Sequence, residues 1–195
     1  GTVGQIMVRG VSSWNAVTLS GSLTYDPETN AFVFSNLLAM AQLADVKTRG
    51  SHGGATLANT WMTRDLGEML DTSGLVTFSG NSFSLVAGKY LIDITCPANG
   101  AVGKHQARLI RDNGDTTKTV MIWGSSEECS IGQSGVSRIQ GGFEADGTVG
   151  HLYSIEHYFE TAVATDGLGI AASSNNSVVY DNHVEVYTNG FLVKI

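Results

Sequence analysis

Lys89-Tyr90-Leu91-Ile92-Asp93-Ile94-Thr95-Cys96 alternates without a break. Tyr90, Ile92, Ile94 and Cys96 fall on one side of an extended chain, and Lys89, Asp93 and Thr95 on the other. Successive side chains of a strand point to opposite faces, so this period of two marks a strand with one face on a core. Working outward, residues 103–111, 117–127, 136–143, 150–159 and 183–195 carry the same kind of signal, and shorter strands are expected at 61–66, 75–78 and 83–85. Asn113-Gly114-Asp115 and Asp146-Gly147 supply tight turns between them. Asn189-Gly190 is the best hairpin dipeptide of the chain, yet only five residues follow it, so it is read as a bulge in one long final strand. Many strands of similar length with brief turns predict an all-β antiparallel sandwich or jelly roll over residues 45–195.

Ahead of this domain, residues 1–35 read as short strands and turns, with Asp26-Pro27-Glu28-Thr29-Asn30 closing a hairpin between 23–25 and 31–34. A lone hairpin is marginal in water, so this β segment is expected to act as a shaft that pairs with other chains. Residues 36–44 read as a connector helix capped by Asn36, with Leu37-Leu38-Ala39-Met40-Ala41-Gln42-Leu43 nearly all apolar. Such a helix needs cover, either from copies of itself around a three-fold axis or from the domain that follows. The chain opens on Gly1, and it is expected to be a fragment of a longer polypeptide.

Hydrophobic residues make up 42% of the 195 residues, enough for a core, while charged residues are only 15%, so Ser, Thr, Asn, Gln and Gly cover the surface. A formal charge of −7 argues against nucleic acid, whose phosphates need clustered Lys and Arg. No apolar run approaches a membrane span. Two cysteines, Cys96 and Cys129, do not make a disulfide framework, and buried free thiols are the expected state.

Lys104-His105-Gln106-Ala107-Arg108-Leu109, Gly124-Ser125-Ser126-Glu127, Ser137-Arg138, Gly142-Phe143, Ile155-Glu156-His157, Asp166-Gly167-Leu168-Gly169 and Glu185-Val186-Tyr187-Thr188 with Val193-Lys194-Ile195 follow one another in a fixed order. This pattern resembles the C-terminal domain shared by many bacteriophage tail fibre and tail-tip proteins. That family in turn resembles the tumour-necrosis-factor-like jelly roll, which forms tight homotrimers. The resemblance covers about residues 45–195. It implies a virion location at the distal end of a tail fibre, an upstream fibre shaft as partner, and attachment to a receptor on the host cell. The chain departs from the pattern at residues 170–184, where a short connection is expected and a longer loop or added hairpin stands.

The charged strand residues are read first as structural. Arg108 shares a face with Lys104 and Gln106, and a charge in a sandwich must be paired, so Glu127 or Glu156 is expected to hold it. His151 and His157 share a face with Tyr153, Ile155 and Phe159, and are read as completing an aromatic face rather than as metal ligands, because no short ligand spacing accompanies them. Glu127 and Glu128 are adjacent, so on a strand they point apart and cannot alone form an opposed catalytic pair. Gly50-Ser51-His52-Gly53-Gly54 is read as a flexible connector, since no nucleophile elbow accompanies it. No catalytic residue, metal site or cofactor is predicted.

Loops of an up-and-down sandwich alternate between its two ends. If the first and last strands pair, Ile195 and the turns at 113–114 and 146–147 lie at one end, and the loops at 98–102, 129–135 and 162–182 at the other. Gln133, Asn175, Asn176, Tyr180, Asp181 and Asn182 then form a distal receptor-binding cluster, with amides for sugar hydroxyls and an aromatic ring for a pyranose face. The resulting expectation is a homotrimeric, non-enzymatic tip that binds a bacterial surface glycan. A purely structural fibre or head-decoration trimer, a capsule depolymerase and a cytokine-like ligand are the competing readings.

Overall fold

The structure is a computed structural model that describes residues 5–9, 14–18, 22–26, 31–35, 39–71, 73–172 and 184–195. It divides into two units, residues 1–38 and 39–195. In the first unit β1 (Gln5–Arg9) pairs antiparallel with β2 (Trp14–Thr18), and β3 (Ser22–Asp26) with β4 (Ala31–Ser35), the latter around the Asp26-to-Ala31 register pair.

The second unit is a two-sheet sandwich. Its strands are β5 (Met40–Thr48), β6 (Thr60–Thr63), β7 (Gly67–Asp71), β8 (Val76–Ser79), β9 (Ser82–Leu85), β10 (Gly88–Asn99), β11 (Lys104–Asp112), β12 (Lys118–Glu128), β13 (Ser134–Ala145), β14 (Leu152–Phe159) and β15 (Val184–Lys194). One sheet runs β13-β10-β15-β5-β7. The other runs β12-β11-β14-β9-β8, with β6 also paired to β14. Every pairing is antiparallel, and from β5 to β15 the chain stays in one sheet only from β8 to β9 and from β11 to β12, changing sheet at every other step. First and last strands lie side by side while consecutive strands cross between layers, which is the jelly-roll winding.

The core lies between the sheets. Tyr90, Ile92, Ile94 and Cys96 of β10, with Ile139 of β13 beside Ile94 in the same sheet, face Ala107 and Leu109 of β11 and Tyr153 and Ile155 of β14, all buried. Cys96 and Cys129 are both free and buried, and burial with no compensating cation of equal weight pushes the Cys96 thiol up to about 11. Asn189-Gly190 falls inside β15, where the register against β5 shifts between Val186 and Asn189, so the dipeptide is a bulge in one long strand.

Two expectations are corrected. The connector helix at 36–44 is not formed where the chain is described: residues 40–48 are strand β5, held between β15 and β7. Ala41 and Leu43 are completely buried in the core face, and a strand with neighbours on both edges reads as a nearly continuous apolar run, the pattern that was taken for an oily helix. Among the described residues the only helical piece is a 3-10 turn at Gly100–Val102. The 50–54 segment is also fixed rather than free. Gly53 N–H donates to the Gly169 carbonyl at 3.0 Å, the Tyr187 hydroxyl donates to the Ser51 carbonyl at 2.7 Å, and His52 Nδ1 accepts from Ala171 N–H at 3.1 Å.

Candidate functional site

The sandwich has two unlike ends. Lys194 N–H donates to the Ala39 carbonyl at 2.9 Å and Ile195 N–H to the Lys89 carbonyl at 2.9 Å, so the domain begins and finishes at one end. The 112–118 and 145–151 turns share that end, where Arg111 meets Asp146 at 3.4 Å. At the opposite end Cys129 N–H donates to the Gly103 carbonyl, Thr161 N–H to the Val102 carbonyl and Asn99 N–H to the Gly167 carbonyl, each at 3.0 Å. The 98–103, 129–135 and 160–169 loops therefore cluster there, as the alternation of loops along the chain requires. Gly100 makes the cluster tight: a Cβ on it would collide with the carbonyl oxygens of Ser130 and Gln133. Gln133 is exposed on that turn, its N–H donating to the Ser130 carbonyl at 2.9 Å. Asn175, Asn176, Tyr180, Asp181 and Asn182 lie outside the described residues.

Of the residues read as structural pairs, Arg108 and Glu156 meet and Glu127 does not join them. Arg108 and Glu156 are directly opposite across β11 and β14, and both Nε (3.0 Å) and Nη2 (2.6 Å) of Arg108 donate to Glu156 Oε2. Lys118 Nζ reaches the other oxygen at 2.8 Å. Burial works to raise the Glu156 carboxyl, but the hydrogen bonds from Lys118 and Arg108 outweigh it and hold it below the ordinary glutamate value. Glu127 instead stands opposite His105 on the neighbouring strand.

His105 and His157 point inward, fully sequestered, with His105 Nδ1 and His157 Nε2 2.8 Å apart and His157 packed on Phe159. Burial first, then the charges of Arg64 and His105, hold His157 well below the ordinary histidine value. Burial likewise lowers His105, against the opposing pull of Glu127. His151 is separate from them, in the 146–151 turn beside Asp146 Oδ1 at 3.1 Å. Among the described residues no group of three or more His, Cys, Asp or Glu side chains is arranged to hold a metal ion.

Sequence reasoning missed three features. Arg64 is completely buried, and donates to Thr188 Oγ1 at 2.7 Å and to the Pro97 and Leu168 carbonyls at 3.2 Å each, tying both sheets to the 160–169 loop. The exterior of the β13-β10-β15-β5-β7 sheet carries large apolar side chains among its polar ones, which include Gln42, Thr95 and the Arg138–Asp93 ion pair. Register puts Leu91, Val193 and Met40 in one row, with Phe191 and Leu70 in the next. Leu91, Phe191 and Leu70 are each 42–46% exposed, and Val46, Val186, Val184 and Val136 are similar. On the other sheet, Trp61 and Trp123 flank Arg108, and Tyr158 packs on the far side of the cluster against Trp61.

This architecture is that of the tumour-necrosis-factor-like jelly roll. Murine APRIL superposes with a TM-score of 0.53 at 12% identity, covering 82% of this chain and 100% of that one. Eiger TNF from S. frugiperda gives 0.50 at 11% identity, covering 81% and 92%. The PRD1 vertex protein P5 gives 0.51 at 15% identity over 97% of this chain and 99% of that one. At these identities the likeness is one of fold. No protein-family model and no curated protein sequence matches the chain.

Proposed function

We propose that the chain is a homotrimeric receptor-binding tip of a phage virion appendage, attaching the particle to a glycan on the bacterial surface. The observation that carries the reading is the fold likeness to the PRD1 vertex protein P5, a phage particle protein, over nearly the whole length of both chains. The trimer is supported by the exterior of the β13-β10-β15-β5-β7 sheet, where seven large apolar side chains are each 42–46% exposed and a second copy of the same chain would cover them. Attachment is supported by polarity of design along the sandwich: the domain is entered and left at one end, and the other presents the clustered 98–103, 129–135 and 160–169 loops, with Gln133 among them. The distal cluster of Gln133, Asn175, Asn176, Tyr180, Asp181 and Asn182 belongs to this proposal, as does the tail fibre shaft upstream.

The reading is of a binding protein rather than an enzyme. Glu156, a carboxylate buried on the exterior of the β12-β11-β14 sheet, is clamped by two cations and held ionised, which suits it poorly to donate a proton to a glycosidic oxygen. The test is binding of fluorescently labelled protein to bacterial cells, with fractionated surface glycans as competitors. Saturable binding displaced by one glycan fraction supports attachment. A stable trimer that binds no cells supports a purely structural role instead, and release of new reducing ends supports a depolymerase.

A further inference from the structure

The outer face of the β12-β11-β14 sheet, with β6 beside it, carries a feature that attachment through the loop end does not use. Trp123 lies opposite Arg108 on β11, Arg108 opposite Glu156 on β14, and Tyr158 of β14 opposite Trp61 of β6. All of them project from the same side of the sheet. The Arg108 guanidinium carbon sits 3.7 Å from the centre of the Trp61 ring and 5.4 Å from that of Trp123. The two indoles are 5.8 Å apart and inclined at 59°, and Tyr158 is 5.6 Å from Trp61. Arg108 is itself fixed by Glu156, and Tyr158 by its hydroxyl donating to Asn59 Oδ1 at 2.7 Å. The rings are thus held in place before any ligand arrives, yet Trp123 remains 54% exposed, a large exposure for an indole already flanked by a cation and a second ring.

Beside the rings, toward the loop end, a concavity of about 400 Å³ is lined by Lys104, His105, Gln106, Ser126, Glu127, Glu128 and Tyr158. Its size falls in the range of small-ligand sites. Gln106 is the hinge between rings and concavity, opposite both Tyr158 and Ser126, with its Nε2 donating to the Gly124 carbonyl at 2.9 Å. Hydroxyl, amide, ammonium and carboxylate groups beside a fixed aromatic face are the complement of a pyranose, whose C–H face stacks and whose hydroxyls both donate and accept. Charge chooses between sugars. Lys104, Arg108 and Lys118 are balanced by Glu127, Glu128 and Glu156, so the platform has no excess of cations to favour an acidic residue.

We infer that Trp123, with Gln106 and the adjoining concavity, is a stacking subsite for a neutral hexose-type saccharide, separate from the distal loops. Its natural ligand, a neutral stretch of a surface glycan, rests on the attachment reading, but its chemistry can be tested without it. The unmodified chain, Trp123→Ala, Trp123→Phe and Gln106→Ala are titrated with lactose, maltose and methyl mannoside, and with glucuronate and N-acetylneuraminate as acidic controls. Saturation-transfer NMR and tryptophan fluorescence report binding, and the same proteins are tested for binding to cells. The expected result is binding of at least one neutral sugar and of neither acidic one. Trp123→Ala should lose about tenfold or more in affinity, Trp123→Phe less, and cell binding should weaken in the same order at unchanged assembly mass and melting temperature. The inference is overturned if no neutral sugar binds, if Trp123→Ala binds as the unmodified chain does, or if Trp123→Ala alters the assembly mass, which would make the rings a subunit contact. Cell binding and sugar binding that both persist in full in Trp123→Ala sink the platform and leave attachment standing. Sugar binding by a chain that ignores every cell sinks attachment and leaves the platform.

Discussion

His157 gives a quantitative prediction about pH. Its ring is completely buried, hydrogen-bonded to His105 and within the field of Arg64, and among the described residues no carboxylate bonds to it. Folding therefore holds the ring neutral while the unfolded chain protonates it near pH 6.5. The folded value is lowered, so the unfolded state binds more protons below that pH. Stability is full above about pH 6.5 and falls as pH drops, until the folded value is reached. One such ring contributes a loss of about 1.4 kcal/mol at pH 5.5, which at ~2–4 °C per kcal/mol lowers the melting temperature by ~3–6 °C. His105, lowered in the same direction, adds to the loss. Scanning calorimetry at pH 7.5 and 5.5, at fixed protein concentration, measures the sum. His157→Leu isolates the ring: whatever the substitution does to stability at pH 7.5, the difference between the two pH values should shrink by that amount. This comparison also removes Asp45, whose burial raises its carboxyl and works in the opposite sense. Asp93, Asp146 and Glu156 are held below their ordinary values and begin to act only at lower pH. A melting temperature equal at both pH values, or an unaltered difference in His157→Leu, would refute the reasoning.

Three further substitutions probe the rest of the molecule. Leu91→Asp leaves a solitary protomer nearly untouched, because the side chain is already 46% exposed, but forfeits ~1 kcal/mol of burial per copy and places a carboxylate in each contact. Sedimentation velocity at micromolar concentration should show single chains with a native circular dichroism spectrum. Gly100→Ala drives a methyl group into the Ser130 and Gln133 carbonyls and should cost ~1–3 kcal/mol, with faster hydrogen exchange confined to 98–103 and 129–135. Arg64→Met strands Thr188 Oγ1 and two carbonyls in the core and should cost ~2–4 kcal/mol in urea unfolding.

Much of the sandwich is written in the sequence because burial there has the period of its strands. The Tyr90-Ile92-Ile94-Cys96 alternation is the inward face of β10, and the chain order of loops alone sorts them to the correct ends. Residues 40–44 misled because β5 lies inside its sheet with core on one side and a partly apolar exterior on the other, which erases the alternation. His105 and His157 could each be assigned to an inward face, but their meeting depends on the diagonal offset of β11 against β14, which no local pattern encodes. The same holds for the aromatic cluster. Trp61, Trp123 and Tyr158 sit on three strands brought together only by the β12-β11-β14-β6 order, and Glu156 rather than Glu127 holds Arg108 for the same reason.

Multi-angle light scattering of the unmodified chain tests the central claim most directly. Three copies closing over the Leu91, Val193 and Phe191 face should give a particle of three times the chain's mass, unchanged on dilution through the micromolar range. A monodisperse particle of one chain's mass, folded and soluble with that face open to water, would contradict it.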